Sequence, residues 1–261
     1  MSHSPELQAA LDAAAAAARI ARSMYQRNIE VRLKEDKSPV TEADVQCERA
    51  IREILESRFP GHGFYGEETG SRALDAEFLW LVDPIDGTKA FVREYPMFST
   101  QIALMHRGEL VLGVSSAPAY GELAWAQAGN GAWLDGRRLK VSEIAGFEQA
   151  ALSTGNLKTL AKDERWPRLG SLVARLGRIR GYGDFLHYHL LAAGKIDAVI
   201  ESDVNILDIA ALVVIVREAG GVFTDLQGAP VGLSTTSVLA ANAGLHPQVL
   251  AILEGQGPAQ A

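Results

Sequence analysis

The residues most able to do chemistry lie in one stretch, Trp80-Leu-Val-Asp83-Pro84-Ile85-Asp86-Gly87-Thr88. An apolar run ends in a carboxylate, Pro84 stops the strand ladder and fixes φ, and a second carboxylate follows before Gly87 and Thr88. Three residues apart around a tight turn, Asp83 and Asp86 can converge on one point. Two such charges repel by about 4 kcal/mol at an effective dielectric of 20, so the pair calls for a cation. Oxygen ligands without Cys or His select a hard ion such as Mg²⁺. The same string is also what an ordinary turn looks like, because Asp, Pro and Gly dominate turns. Further acids stand at element ends. Glu67 follows the strand-like segment 62–66, and Asp208 opens the apolar helix that starts at Ile206. A helix-start Asp is equally an ordinary cap or dipole partner, and Asp44 is equally the cap of its own helix.

The elements that must position these acids follow from periodicity. A first helix runs from Pro5 to about Gln26, with Ser4 as N-cap and Leu7, Leu11, Ala14, Ala18 and Ala21 on one face. A second starts at Thr41, where Asp44 completes a variant capping box and Cys47, Ile51, Ile54 and Leu55 form a buried stripe. Between them lies the charged segment Lys34 to Val40, rigidified by Pro39. From Phe78 to about Gln127 the pattern is strand-like, with turns at Arg107-Gly108 and Ala119 to Gly121 that predict antiparallel hairpins. From about Ala150 strands alternate with helices, which predicts α/β layering. The tail 255–261 reads as frayed.

Composition bounds the functional classes. The chain has 261 residues, 48% hydrophobic and 22% charged, enough apolar material for a core and inconsistent with wholesale disorder. With 25 basic and 32 acidic residues the net charge is −7, and no Lys/Arg run reaches the length of a polybasic patch, so neither nucleic acid nor an anionic membrane is an expected partner. The single cysteine, Cys47, excludes an intramolecular disulfide or a cysteine-rich zinc site and fits a reducing cytoplasm. The N-terminus lacks a basic region ahead of an apolar one, so no signal peptide is expected. The apolar run Ile209 to Val216 is far short of the roughly 20 residues that cross a bilayer. No G-x-S-x-G is complete, since Gly113-Val-Ser-Ser-Ala117 lacks its second glycine, and there is no P-loop or H-E-x-x-H. His3, His62, His106, His187, His189 and His246 show no zinc-site spacing.

The strings S-P-V-T-E-A-D at 38–44, G-E-E at 66–68, D-P-I-D-G-T at 83–88 and D-x-A-A…E-A-G-G at 208–221 together resemble the inositol-monophosphatase superfamily of metal-dependent, lithium-sensitive phosphatases. The match is in order and covers about residues 35 to 245, with Leu207 where the family usually has Trp. R-G-Y-G-D-F at 180–185 and the segment 190–202 are similar to the histidinol-phosphate phosphatases of that superfamily. The resemblance implies an αβαβα sandwich of the inositol-monophosphatase/fructose-bisphosphatase type, a single phosphatase domain over 1–261 with a soft lobe boundary near 148. It implies two or three Mg²⁺ ions, with Mn²⁺ as a substitute, held by Glu67, Asp83, Asp86, Asp208 and the Ile85 carbonyl, Asp83 bridging two. Glu67 and Thr88 would orient the attacking water, with Asp44 accepting the Thr88 hydroxyl proton. Ile85, Asp86, Gly87, Thr88, Arg180, Gly183, Asp184, Glu201 and Asp208 would line the substrate, a small phosphomonoester. Asp184 and Glu201 suit histidinol phosphate, whose ammonium and imidazole a polyol lacks. Asp184 is equally a cap for the helix after Gly183. The resemblance also implies a homodimer. The remaining alternatives are an inositol or broad sugar-phosphate monophosphatase, and a silent member that binds metal or phosphoester as a regulator.

Overall fold

The computed structural model describes residues 3–27, 31–33 and 39–256. The charged segment expected after the first helix lies outside them from Lys34 to Ser38, as does the tail from Gly257. The chain forms two compact units, Met1–Arg137 with Leu207–Ile215, and Arg138–Ile206 with Val216–Ala261.

In the first unit, α1 (Pro5–Met24) starts where Ser4 Oγ accepts the Leu7 N–H at 3.1 Å. Its buried face is Leu7 with seven alanines, and side chains that small let a second helix lie close: Cys47 Sγ of α2 (Glu42–Arg58) is 3.5 Å from the Ala17 carbonyl. The antiparallel pair β1 (Val31–Leu33) and β2 (Pro39–Thr41) precedes α2, whose start is closed by the reciprocal Thr41–Asp44 box. Of the expected stripe, Cys47, Ile51 and Leu55 are fully buried and Ile54 is half-buried.

Strands β3 (Gly63–Gly66), β4 (Ser71–Arg72), β5 (Phe78–Asp86), β6 (Ser99–His106), β7 (Glu109–Ala117), β8 (Glu122–Gln127), β9 (Ala132–Leu134) and β10 (Arg137–Arg138) form one sheet. Its order is β10-β9-β8-β7-β6-β5-β3-β4. Pairs from β5 to β9 are antiparallel, as the turn signals predict, and β3 runs parallel to β5. The β6–β7 turn is Arg107-Gly108 with φ of 50° and 87°, the left-handed pair a two-residue hairpin needs. Between β5 and β6 lies the five-residue helix α3 (Thr88–Val92). Helices α1 and α2 cover the sheet through a core that includes Ile51, Leu55, Trp80, Val82, Ile102 and Leu104.

The second unit holds β11 (Ala151–Thr154), α4 (Trp166–Val173), β12 (Arg178–Arg180), α5 (Asp184–Ala192), β13 (Ala198–Ser202), β14 (Gly221–Thr224), β15 (Ser237–Asn242) and α7 (His246–Leu253). Helix α6 (Ile206–Glu218) precedes β14, and its 207–215 stretch belongs to the first unit. The sheet order is β12-β11-β13-β15-β14, parallel around β11 and antiparallel from β13 onwards, so the alternation expected after Ala150 yields a mixed sheet. No described helix is long and apolar enough to cross a membrane.

Candidate active site

The sequence places the end of β5 at Asp83; the strand instead continues to Asp86. Pro84 does not terminate it, because the ladder accommodates the missing N–H in a bulge: Asp83 pairs with Gln101 and Asp86 with Ser99, so three steps on β5 match two on β6. That extra residue decides the chemistry. Side chains alternate across a regular strand, so residues three apart would face opposite sides. The bulge restores them to one side, where one oxygen each of Asp83, Asp86 and Asp208 lie within 4.8 Å of one another. The Pro84 carbonyl accepts from Thr100 Oγ1 at 2.8 Å, and Asp83 Oδ1 accepts the Ile85 N–H at 3.0 Å, which fixes the bulge from both sides.

Two neighbours complete the cluster. Gly66 of β3 is level with Val82, so Glu67 emerges beside Asp83. Asp208 comes from the first full turn of α6, and β7 makes room for that helix at Gly113. A Cβ there would stand 2.3 Å from the Ala211 carbonyl oxygen, so only glycine permits the approach. The incomplete G-x-S-x-G string thus contains a packing glycine. Asp83 is buried, and desolvation, followed by the charges of Glu67, Asp86 and Asp208, drives its carboxyl well above the ordinary range. Asp83, Asp86 and Asp208 form a cluster that could hold a metal ion, with Glu67 beside Asp83, and every donor is oxygen. The residues fit a hard divalent ion.

Thr88 sits beside this cluster as the first residue of α3. Its hydroxyl lies 2.8 Å from Asp44 Oδ1 and 3.0 Å from the Ile85 carbonyl, with one proton to give. The charged acceptor is the nearer, which leaves the oxygen's lone pairs to receive a proton from elsewhere. Asp44 is buried, its other oxygen bonded by the Thr41 N–H at 2.8 Å and the Thr41 hydroxyl at 2.6 Å. Burial raises its carboxyl against the opposing effect of these hydroxyl and N–H donors. Asp44 is therefore both the helix cap and the partner of Thr88. Gly87 precedes at φ 90°, with no side chain capping α3, and a Cβ there would meet the Met97 carbonyl oxygen at 2.4 Å.

Within the second unit, exposed Arg180 ends β12, Gly183 turns at φ 74°, and Asp184 begins α5 at φ 44°. The cap position falls on Gly183, with no side-chain cap bond, so the capping alternative for Asp184 is corrected. Glycine takes the positive φ there, and Asp tolerates the left-handed region better than most residues. Glu201 is buried on β13. Asn156 N–H donates to its Oε1 at 3.1 Å, the Tyr188 hydroxyl donates to Oε2 at 2.8 Å, and His187 Nε2 lies 3.2 Å from Oε2. Burial pushes this carboxyl up, but His187, Tyr188 and Asn156 outweigh it and hold it below the usual range. The chain's own donors satisfy Glu201.

Two sets of residues escaped the sequence reading. Ser99 Oγ lies 3.2 Å from Asp86 Oδ2 and receives Gln101 Nε2 at 2.7 Å, a polar pair whose two-residue spacing on β6 was the available signal. Glu48, fully buried on α2, meets backbone groups near Glu67; its four-residue spacing from Asp44 was the only hint.

The chain matches the inositol monophosphatase family over residues 2–257 and belongs to it. It is a phosphomonoester hydrolase with that family's layered α/β fold, the fold class expected from the motifs. A Mycobacterium tuberculosis protein named histidinol-phosphatase is 41% identical over 228 residues, covering 85% of this chain and 87% of its own. A Caulobacter vibrioides inositol-1-monophosphatase is 36% identical over 219 residues, covering 81% and 85%. The crystal structure of the Bartonella henselae extragenic suppressor protein suhB superposes with a TM-score of 0.89 at 31% identity, covering 96% of this chain and 99% of the other.

Proposed function

We propose that the chain hydrolyses L-histidinol phosphate to L-histidinol and phosphate in histidine biosynthesis, as one phosphatase domain that uses Mg²⁺ and accepts Mn²⁺. The metal reading rests on the convergence of Asp83, Asp86 and Asp208 within 4.8 Å, with Glu67 against Asp83. These four carboxylates and the Ile85 carbonyl would hold two or three ions. Bound there, such ions neutralise phosphate oxygens, acidify a water and stabilise the leaving alkoxide. The chain's own groups do the rest. Thr88, donating its proton to Asp44, presents a lone pair to the attacking water, and Glu67 accepts that water's second hydrogen bond. Gly87 and Thr88 offer their backbone N–H groups, at the start of α3, to phosphate oxygens. No covalent nucleophile is needed.

The substrate choice is carried by the 41% identity to the M. tuberculosis histidinol-phosphatase. Asp184, a carboxylate that opens α5 directly after Gly183, would draw the substrate's ammonium or imidazolium. Two observations favour a second reading, an inositol or sugar-phosphate monophosphatase. One is the 36% identity to the inositol-1-monophosphatase of C. vibrioides. The other is that Glu201 already has internal partners, so a cationic end gains one carboxylate rather than two. Phosphate release from histidinol phosphate, inositol 1-phosphate and 3′-phosphoadenosine 5′-phosphate decides. The proposal expects the highest kcat/KM on histidinol phosphate; a preference for inositol 1-phosphate overturns it. Homodimerisation belongs to the same proposal and is read by sedimentation.

A further inference from the structure

We propose that one face of α2 positions the metal-ligand loop, with buried Glu48 as the positioning residue for Glu67 and Arg52 as its support. The proposal rests on the reading of Glu67 as a metal ligand. Asp44, Glu48, Arg52 and Glu56 recur every four residues, so they share one face of the helix. Asp44 receives the Thr88 hydroxyl at 2.8 Å. One turn on, both Glu48 oxygens are taken by backbone: Oε2 accepts the Glu68 N–H at 2.8 Å and Oε1 the Thr69 N–H at 2.5 Å. A turn further, Arg52 Nη1 donates to the Thr69 carbonyl at 3.2 Å and to its hydroxyl at 3.0 Å, with the guanidinium 5.0 Å from the Phe64 ring centroid. Glu56 Oε1 then ties Arg52 Nε at 2.9 Å to Arg72 Nε at 3.1 Å across the loop.

Glu67 therefore sits between two fixed points. On one side Gly66 is paired with Val82 in the sheet; on the other, Glu68 and Thr69 are held through their N–H groups. Gly66 is part of the device, because a Cβ there would stand 2.4 Å from Glu48 Oε1. A fully buried carboxylate is expensive to keep unless its bonds are needed, and these bonds reach only the loop after Glu67. Since Thr88 hangs from the same helix, α2 ties Thr88 and the Glu67 loop to one rigid element.

The test is calorimetric titration of metal-stripped protein with Mg²⁺ alone, alongside the Mg²⁺ dependence of turnover and melting in EDTA, for Glu48→Gln, Arg52→Gln and Glu67→Gln. Glutamine keeps the size of Glu48 but turns an NH₂ towards one of the two N–H groups. The expected result is Mg²⁺ affinity weakened about 10- to 100-fold in Glu48→Gln, with excess Mg²⁺ restoring most of the turnover. Arg52→Gln, at a partly exposed position, shifts affinity the same way by less. Unchanged Mg²⁺ affinity in Glu48→Gln beside a lowered melting temperature overturns the proposal and leaves Glu48 a packing residue. If Glu48→Gln does not fold, unchanged affinity in Arg52→Gln overturns it equally. Unchanged affinity in Glu67→Gln instead overturns the ligand reading beneath it.

Discussion

Stripped of metal, the Asp86→Asn variant should melt above the unsubstituted chain, and Mg²⁺ should then stabilise it less. One oxygen each of Asp83, Asp86 and Asp208 lie within 4.8 Å of one another, and two unit charges at that spacing repel by about 3.5 kcal/mol at an effective dielectric of 20. Only part of that remains to be relieved. Asp86 is half-buried, and Asp83 is already driven towards its neutral form by burial and by its acidic neighbours. A gain of about 1 kcal/mol, or about 2–4 °C for a chain of this size, is the expectation in EDTA. The amide still offers an oxygen to the Ser99 hydroxyl. With Mg²⁺ the sign reverses. Saturation at 100 times Kd adds about 2.7 kcal/mol, and each tenfold loss of affinity removes about 1.4 kcal/mol of it.

The same cluster sets a pH dependence. Because the folded Asp83 carboxyl lies well above its ordinary 3.8, the folded state holds the proton more tightly than the unfolded one. Its stabilisation is fully present below that ordinary value and is lost as pH rises through the raised one. Melting curves in EDTA at increasing pH should therefore fall for the unsubstituted chain and fall less steeply for Asp86→Asn, which removes one charge while burial and Glu67 keep the Asp83 carboxyl raised. An Asp86→Asn protein that melts lower in EDTA, with a pH slope no smaller than the parent's, and gains as much from Mg²⁺ refutes the reasoning.

Thr88→Ala should keep Mg²⁺ binding by calorimetry and lower kcat by about 10²-fold, since the lost group orients water and holds no metal. Asp184→Asn should fold, because Asn tolerates the φ of 44° as well as Asp does, and should lower kcat/KM on histidinol phosphate by about 10- to 150-fold. On β-glycerophosphate, which has no cationic end, the same variant should be almost unchanged; equal losses on both would remove Asp184 from recognition. Cys47 is buried, and burial, with the Asp44 charge, pushes its thiol up to about 12. An aromatic disulfide reagent should leave it unmodified until the protein unfolds; fast labelling of the native chain would contradict that burial.

What could be read from the sequence was local. Ser4 before Pro5 and Thr41 three residues before Asp44 act within one helical turn, so their caps formed as expected. The β6 and β7 strands and their Arg107-Gly108 turn were legible for the same reason. The bulge at Pro84 was not, because a bulge is a mismatch with β6 and has no meaning in β5 alone. Glu48 was hidden because its partners are backbone N–H groups twenty residues on, which carry no residue signature. Gly113 announced a missing nucleophile motif while its purpose, admitting Ala211, lay about a hundred residues away. Glu201 was read from its charge, and its neighbours lie outside its own strand: His187 and Tyr188 on α5 and Asn156 just after β11. The Asp86–Ser99 contact likewise needed the strand register.

If the carboxylates around Asp83 make a metal-dependent phosphomonoesterase, turnover must follow the metal. Protein stripped with EDTA and freed of chelator is mixed with histidinol phosphate, and phosphate release is followed as Mg²⁺ is added back. The expected result is no release above background without metal, and a saturable rise with Mg²⁺ that Asp208→Asn shifts to higher concentration or abolishes. Full turnover in the stripped protein, or a Mg²⁺ response identical in Asp208→Asn, would contradict it.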